Sequence, residues 1–278
     1  MRGAGSDEAT ADGTWTEERH GPVVLARWSR PPMNYFTDAG LAGLSAGLDR
    51  WEAEGIGALV LAGGVPGRFI THFDVDEVLN GQRAMDPVTA PRRSTVAQAL
   101  TLRLHSLPFP VLAALNGDAM GWGFELALAA DARVGERGDH RYGLVEVRLG
   151  IVPGAGGLTR MARLAGTGRA LLHGLSARPI SPEEAHGLGL VEELADDSVA
   201  AALAHAQRIA AMPRTAVAMA KRLVHRGADL PLRAALDQEA DCAFRAKLRA
   251  DSAAALTAYR QVPPADRRNW LEADPRRV

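Results

Sequence analysis

A chain of 278 residues is long enough to bury one large α/β core with an appendage. Hydrophobic residues make up 47% and aromatics 5%, while 32 basic residues nearly cancel 33 acidic ones, which argues against a nucleic-acid or anionic-membrane surface. The single cysteine, Cys242, excludes an internal disulfide and offers no zinc-site spacing.

Residues 1–19 are polar, small and acidic, lack the basic-then-apolar layout of a signal peptide, and read as a flexible tail. No stretch approaches membrane-spanning length, so the expected location is the cytoplasm. Residues 21–29 form a Val-rich strand candidate bounded by Pro22 and the Pro31–Pro32 turn. A helix follows, with Thr37 or Asp38 as N-cap, Leu41, Leu44 and Leu48 at helical spacing, and Gly55 as its end. The unbroken apolar run 56–62 predicts a strand buried on both faces. Strand, helix, strand in that order predicts parallel pairing.

Residues 63–76 read as a glycine-rich loop running into a short helix, and residues 80–93 as irregular and mobile. A helix over 94–106, a short buried strand over 110–115, a turn at Asn116–Gly117 and a helix over 121–131 come next. Apolar segments 133–135 and 142–149 flank a polar turn, and a helix over 158–164 starts after the glycine turn 153–157. Short strand and helix units continue to residue 194. From 196 to 259 the pattern is helical, broken at Pro213, Gly227 and Pro231. The expected organisation is therefore an α/β body over 20–195 and a helical region over 196–278 that packs on the body or on another subunit.

Several familiar chemistries find no foothold. In Gly154-Ala-Gly156-Gly157 the third glycine of a dinucleotide fingerprint falls on Thr159, and Gly166-Thr-Gly168-Arg169 lacks the Lys-Ser/Thr of a P-loop. The eight histidines show no metal-binding spacing, and no serine sits in GxSxG. Two carboxylates stand out instead. Glu125 and Glu146 each lie among apolar residues beside a glycine-rich turn, and an acid so placed must be paired, hydrogen-bonded or protonated. The plain alternatives are an acid offsetting a helix dipole for Glu125 and an outward-facing strand residue for Glu146. Paired carboxylates in different environments can divide acid and base duties.

The segment Asn116-Gly117…Met120-Gly121-Trp122-Gly123-Phe124-Glu125-Leu126-Ala127…Asp131, followed by Gly143…Glu146…Leu149-Gly150-Ile151-Val152-Pro153-Gly154-Ala155-Gly156-Gly157…Arg160, resembles the signature of the crotonase superfamily, the enoyl-CoA hydratases and isomerases. Arg30-Pro31…Met33-Asn34…Thr37 is similar to that family's first strand-to-helix turn, and Phe69…Phe73-Asp74 to its oxyanion loop. Ile180-Ser181…Glu184-Ala185…Gly189-Leu190-Val191 and Pro213…Lys221 resemble its later helices, so coverage runs from 21 to about 260.

The resemblance implies a body of repeated ββα turns forming a superhelix, a C-terminal helical region, and homotrimers or hexamers. It implies an acyl-CoA thioester as substrate, with no further cofactor and no metal. Its two oxyanion-hole N–H donors fall on Phe73 and Trp122, and its two glutamates on Glu125 and Glu146. Met33, Asn34, Phe69, Thr71, His72, Asp74 and Gly121 fall where the substrate would bind. Hydration of a trans-2-enoyl-CoA is the expected reaction. Isomerisation, thioester hydrolysis, carbon–carbon cleavage, or acyl-CoA binding with weak catalysis are the alternatives.

Three departures stand against the family pattern. Trp122 replaces a glycine, Thr71-His72 replaces Ala-Gly, and Val262 falls where a basic residue usually meets the CoA phosphates, with Arg260, Arg267 or Arg268 as substitutes.

Overall fold

A computed structural model describes residues 12–84 and 95–277. The large sheet has six strands in the order β1-β2-β3-β5-β7-β9, and a smaller one has three, β4-β6-β8. Strands β1 (Thr14–His20) and β2 (Val23–Ser29) form an antiparallel hairpin. From β2 onward, through β3 (Ala58–Gly63), β5 (Val111–Leu115), β7 (Ala132–Glu136) and β9 (Glu193–Ala195), the large sheet is parallel. β4 (Gly67–Ile70), β6 (Gly117–Met120) and β8 (Tyr142–Gly143) are mutually parallel too. Each of the pairs β3–β4, β5–β6 and β7–β8 thus sends its first strand into the large sheet and its second into the small one, which is the repeated ββα turn the resemblance implies.

The apolar runs follow from a sheet covered on both faces. Val24, Ala26, Trp28, Leu59, Leu61, Val111, Ala113 and Leu115 enter one buried cluster, and the alternate residues Val23, Leu25, Ala58, Val60, Leu112 and Ala114 enter a second. The first cluster is closed by α1 (Asp38–Glu54), α3 (Thr95–Ser106) and α4 (Trp122–Ala129). In α1 the Thr37 side chain caps the Gly40 N–H, and Gly55 ends the helix at φ 65°, both as the sequence predicts.

The second cluster is closed by α8 (Ser198–Ala210) through Val199, Ala202 and Ala206. This corrects the expected boundary at 196: α8 is a layer of the body, because its alanines allow it to lie close on the sheet. What lies outside the body is α9 (Arg214–Gly227), α10 (Leu232–Lys247), α11 (Ala250–Gln261) and α12 (Arg267–Glu272), none of which contains a fully buried residue.

Further corrections concern short or polar elements. Thr14–His20 is an edge strand and not part of a flexible tail; residues 1–11 lie outside the described residues. Its charges face solvent, the usual protection of a sheet edge, and this hides its strand character. Residues 80–83 continue α2 (Val75–Arg83), while the rest of the segment read as mobile lies mostly outside the described residues. β4 and β6 replace the expected loop and turn. Among the described residues no helix is long and apolar enough to cross a membrane.

Candidate active site

The small sheet gathers the site. Ligands of parallel sheets lie beyond the carboxyl ends of the strands, and here those ends deliver Thr71-His72-Phe73 after β4, Gly121-Trp122 after β6 and Leu144–Glu146 after β8. Met120 N–H bonds to Thr71 C=O at 2.9 Å and Gly121 N–H to Gly143 C=O at 2.8 Å, so the three segments are stitched side by side.

Gly121 then turns at φ 51° into α4, all eight residues of which are buried. A side chain at Gly121 would sit 3.3 Å from Glu146 Oε1 and 3.7 Å from His72 Cβ, so a glycine keeps this junction open. Trp122 is the first residue of α4, and its N–H lies at the positive end of the helix. Across the gap, Phe36 N–H bonds His72 C=O at 2.8 Å and Asp74 N–H bonds Phe36 C=O at 2.7 Å. That pattern turns the Phe73 N–H away from Phe36. Among the described residues neither the Phe73 nor the Trp122 N–H has an acceptor within the chain.

Glu125, one turn into α4, is 3% exposed. Its Oε1 accepts from the Ala155 and Gly157 N–H groups, both at 2.8 Å, at the start of α5 (Gly157–Ala165). The Gly154 N–H also acts on this carboxylate and lowers its pKa. A side chain at Gly157 would strike Glu125 Cγ at 2.7 Å, so the glycine turn exists to let this carboxylate in. Burial raises the Glu125 pKa against the lowering by those N–H bonds.

Glu146 opens a 3-10 helix, Glu146–Leu149, and is buried, not the outward-facing strand residue of the plain alternative. Its Oε2 is fully enclosed with no hydrogen-bond partner among the described residues. Burial, with the Glu125 charge adding to it, raises its pKa to about 7. Two carboxylates close enough to repel, one with an oxygen accepting two backbone N–H bonds and the other with an enclosed oxygen left unpartnered, are the arrangement that separates a base from an acid.

Trp122 departs from the glycine pattern, and its indole packs against aromatic rings from two other turns. Its indole is 6% exposed, stacks on Phe36 at 5.5 Å and meets Phe73 edge-on at 6.3 Å. Its Nε1 has no acceptor among the described residues. Of the other expected substrate contacts, Asn34 is fully buried and ties two turns together, bonding Phe69 C=O at 2.6 Å and Arg30 N–H at 2.8 Å. The Phe69 side chain lies in the core, and Asp74 caps α2 and pairs with Arg30 at 2.6 Å. In the fold these three side chains make structural contacts. Thr71 is buried too, its hydroxyl donating to Met33 C=O. Of the expected contacts, Gly121 borders both Glu146 and His72.

Sequence reasoning gave Arg160 no role beyond the signature and passed over Thr101; both bond Ala155 C=O, at 2.7 and 2.9 Å, and so steady the turn that holds Glu125. Thr101 lies on α3, and only the fold brings it to the glycine turn. Among the candidate tail cations, Arg267 lies over the Tyr259 ring at 5.2 Å and Arg268 pairs with Glu272 at 2.8 Å.

The sequence profile described as enoyl-CoA hydratase/isomerase matches residues 18–264. A probable enoyl-CoA hydratase of Bacillus subtilis is 37% identical over 177 residues, covering 63% of this chain and 66% of that one. A short-chain-enoyl-CoA hydratase of Clostridium acetobutylicum is 29% identical over 246 residues, 87% of this chain and 92% of that one. Among solved structures, a putative enoyl-CoA hydratase of Streptomyces coelicolor aligns with a TM-score of 0.83 at 30% identity, over 95% of this chain and 96% of that one.

Proposed function

Since the chain belongs to the enoyl-CoA hydratase/isomerase family, the crotonase superfamily, and has its fold, we propose that it adds water across the double bond of a trans-2-enoyl-CoA to give a 3-hydroxyacyl-CoA. The observation that carries this reading is the pair Glu125 and Glu146, buried together beside two uncommitted backbone N–H groups.

The chemistry follows from charge. The Phe73 and Trp122 N–H groups hold the thioester oxygen and stabilise the negative charge that gathers there as the enolate forms. They sit at a helix start and in a fixed loop, so no reorganisation accompanies the reaction. Glu125 acts as the base in this reading: with Oε1 held by two N–H groups, its carboxylate orients a water and takes one proton from it. The hydroxide oxygen bonds to C3, the double-bond electrons move toward the thioester oxygen, and Glu146, whose pKa is raised to about 7, gives its proton to C2 from its protonated form. Release of the Glu125 proton and reprotonation of Glu146 restore the starting state. No cofactor beyond the thioester enters this scheme.

The same reading includes homotrimers or hexamers and a cytoplasmic location. Support for assembly comes from α9–α11, whose apolar side chains remain exposed in the single chain.

The test is loss of the enoyl-thioester absorbance with crotonyl-CoA in the wild type, Glu125→Gln and Glu146→Gln. Each variant should lose at least about a hundredfold in kcat while binding butyryl-CoA within a few-fold of wild type. Full activity in Glu146→Gln would sink the assignment, and turnover of a 3-enoyl thioester alone would move the chain to isomerisation.

A further inference from the structure

His72 has no step in the scheme above, yet its side chain is firmly held. The ring stacks on Tyr35 with centroids 4.3 Å apart and planes inclined by 23°. Its Nδ1 lies 2.7 Å from Phe73 C=O. A carbonyl oxygen only accepts, so Nδ1 carries the hydrogen and donates it. Among the described residues Phe73 C=O has no other donor.

The two peptide groups flanking Phe73 are therefore held differently. The one joining 72 to 73 is held by Phe36 N–H on His72 C=O. The one joining 73 to 74 is held at its N–H by Phe36 C=O and at its carbonyl by the His72 ring. Without the imidazole this second group would be anchored at one end only. The loop would then have more play about Phe73, the residue whose N–H meets the substrate in the reading above. Van der Waals neighbours constrain it as well, since His72 Cβ lies by Gly121 at the start of α4.

We infer that His72 is a positioning residue of the oxyanion hole: its imidazole, braced on Tyr35, clamps the Phe73 peptide so that the Phe73 N–H stays aimed at the thioester oxygen. A small residue at this place leaves that duty to the backbone alone. The inference rests on the reading of Phe73 N–H as an oxyanion donor, and on that part of it only.

Oxyanion donors act through placement, and displacement by about 1 Å lowers rates by up to about a hundredfold. His72→Ala should therefore lower kcat with crotonyl-CoA about tenfold, with KM within about threefold. The discriminating readout is binding of acetoacetyl-CoA, whose enolate places negative charge at the hole, against butyryl-CoA, which does not. His72→Ala should reduce acetoacetyl-CoA affinity and its enolate absorbance about tenfold relative to butyryl-CoA. His72→Asn, with an amide N–H in place of Nδ1–H, should recover most of the loss, and Tyr35→Phe, which keeps the stack, should behave as wild type.

Equal weakening of both ligands in His72→Ala, an unchanged affinity ratio, or failure of His72→Asn to exceed His72→Ala overturns the inference. A wild type that prefers acetoacetyl-CoA but does not hydrate crotonyl-CoA would remove the proposed reaction and leave the clamp standing. A wild type with no such preference would remove both the oxyanion hole and the clamp.

Discussion

At the scale of single residues, Glu146 couples function to stability with opposite signs. An enclosed carboxyl oxygen without a partner favours the neutral acid, and the Glu125 charge adds to that. Its pKa is raised on folding from the ordinary value of 4.5 to about 7, so the folded state holds the proton more tightly than the unfolded chain. Its contribution is thus intact at acidic pH and is lost as pH rises through about 7. Replacing Glu146 by Gln keeps a neutral side chain at every pH. Thermal or urea unfolding at pH 8 should show Glu146→Gln more stable than wild type by about 2–4 kcal/mol, with the difference shrinking toward pH 5. A wild type as stable at pH 8 as at pH 5, in parallel with the variant, would contradict the burial argument. Since the scheme needs Glu146 protonated, kcat/KM with crotonyl-CoA should also fall above about pH 7.

Both glutamates were legible in the sequence because an acid in an apolar run demands an explanation. The direction of the Trp122 indole was not. It depends on Phe36 and Phe73, which come from other turns of the superhelix. For the same reason the structural bonds of Asn34 and Asp74 and the core position of Phe69 could not be read from the motif. A motif names positions, and only packing decides which side chains turn toward the gap.

At the scale of elements, the long and periodic pieces were readable and the four-residue ones were not. α1, β3, β5 and α4 follow from their apolar patterns and glycine stops. β4 and β6 are Gly-Arg-Phe-Ile and Gly-Asp-Ala-Met, too short to show alternation and each opened by a glycine that reads as a turn. These are the strands that carry the site. A second element-level device is the tie between α9 and the body. Lys221 Nζ reaches Asp131 at 2.8 Å, Leu104 C=O at 2.6 Å and Phe109 C=O at 2.8 Å, and His225 Nε2 lies 2.6 Å from the other Asp131 oxygen. All three donor directions of the ammonium are used. Lys221→Met should leave Asp131 short of a partner in a buried setting and destabilise the fold by about 3–5 kcal/mol. Chemical denaturation measures this, and a loss below about 1 kcal/mol would mean the pair behaves as a surface ion pair. Removing the acid as well, in Lys221→Met with Asp131→Asn, should recover part of the loss.

At the scale of the whole molecule, the helices beyond the body look unfinished in a single chain. Val224, Leu232, Leu236, Phe244 and Leu256 on α9–α11, with Leu248 in the turn between α10 and α11, are each more than half exposed. Exposed apolar side chains grouped on adjoining helices mark an interface, since scattered ones need none but a shared face lowers its free energy on being covered. The occupant we propose is further copies of this chain. α9 is fixed to the body by Lys221, so an assembly formed through these helices would also brace α3, whose Thr101 steadies the glycine turn under Glu125. Such an assembly would link to the site through this chain of contacts. Light scattering at micromolar concentration should give three or six times the chain mass. Phe244→Asp, which places a charge on the exposed face, should shift that mass downward and lower kcat with it, while circular dichroism stays close to wild type. A monomeric wild type with full turnover would refute the coupling, and a monomeric Phe244→Asp with unchanged kcat would separate assembly from the site.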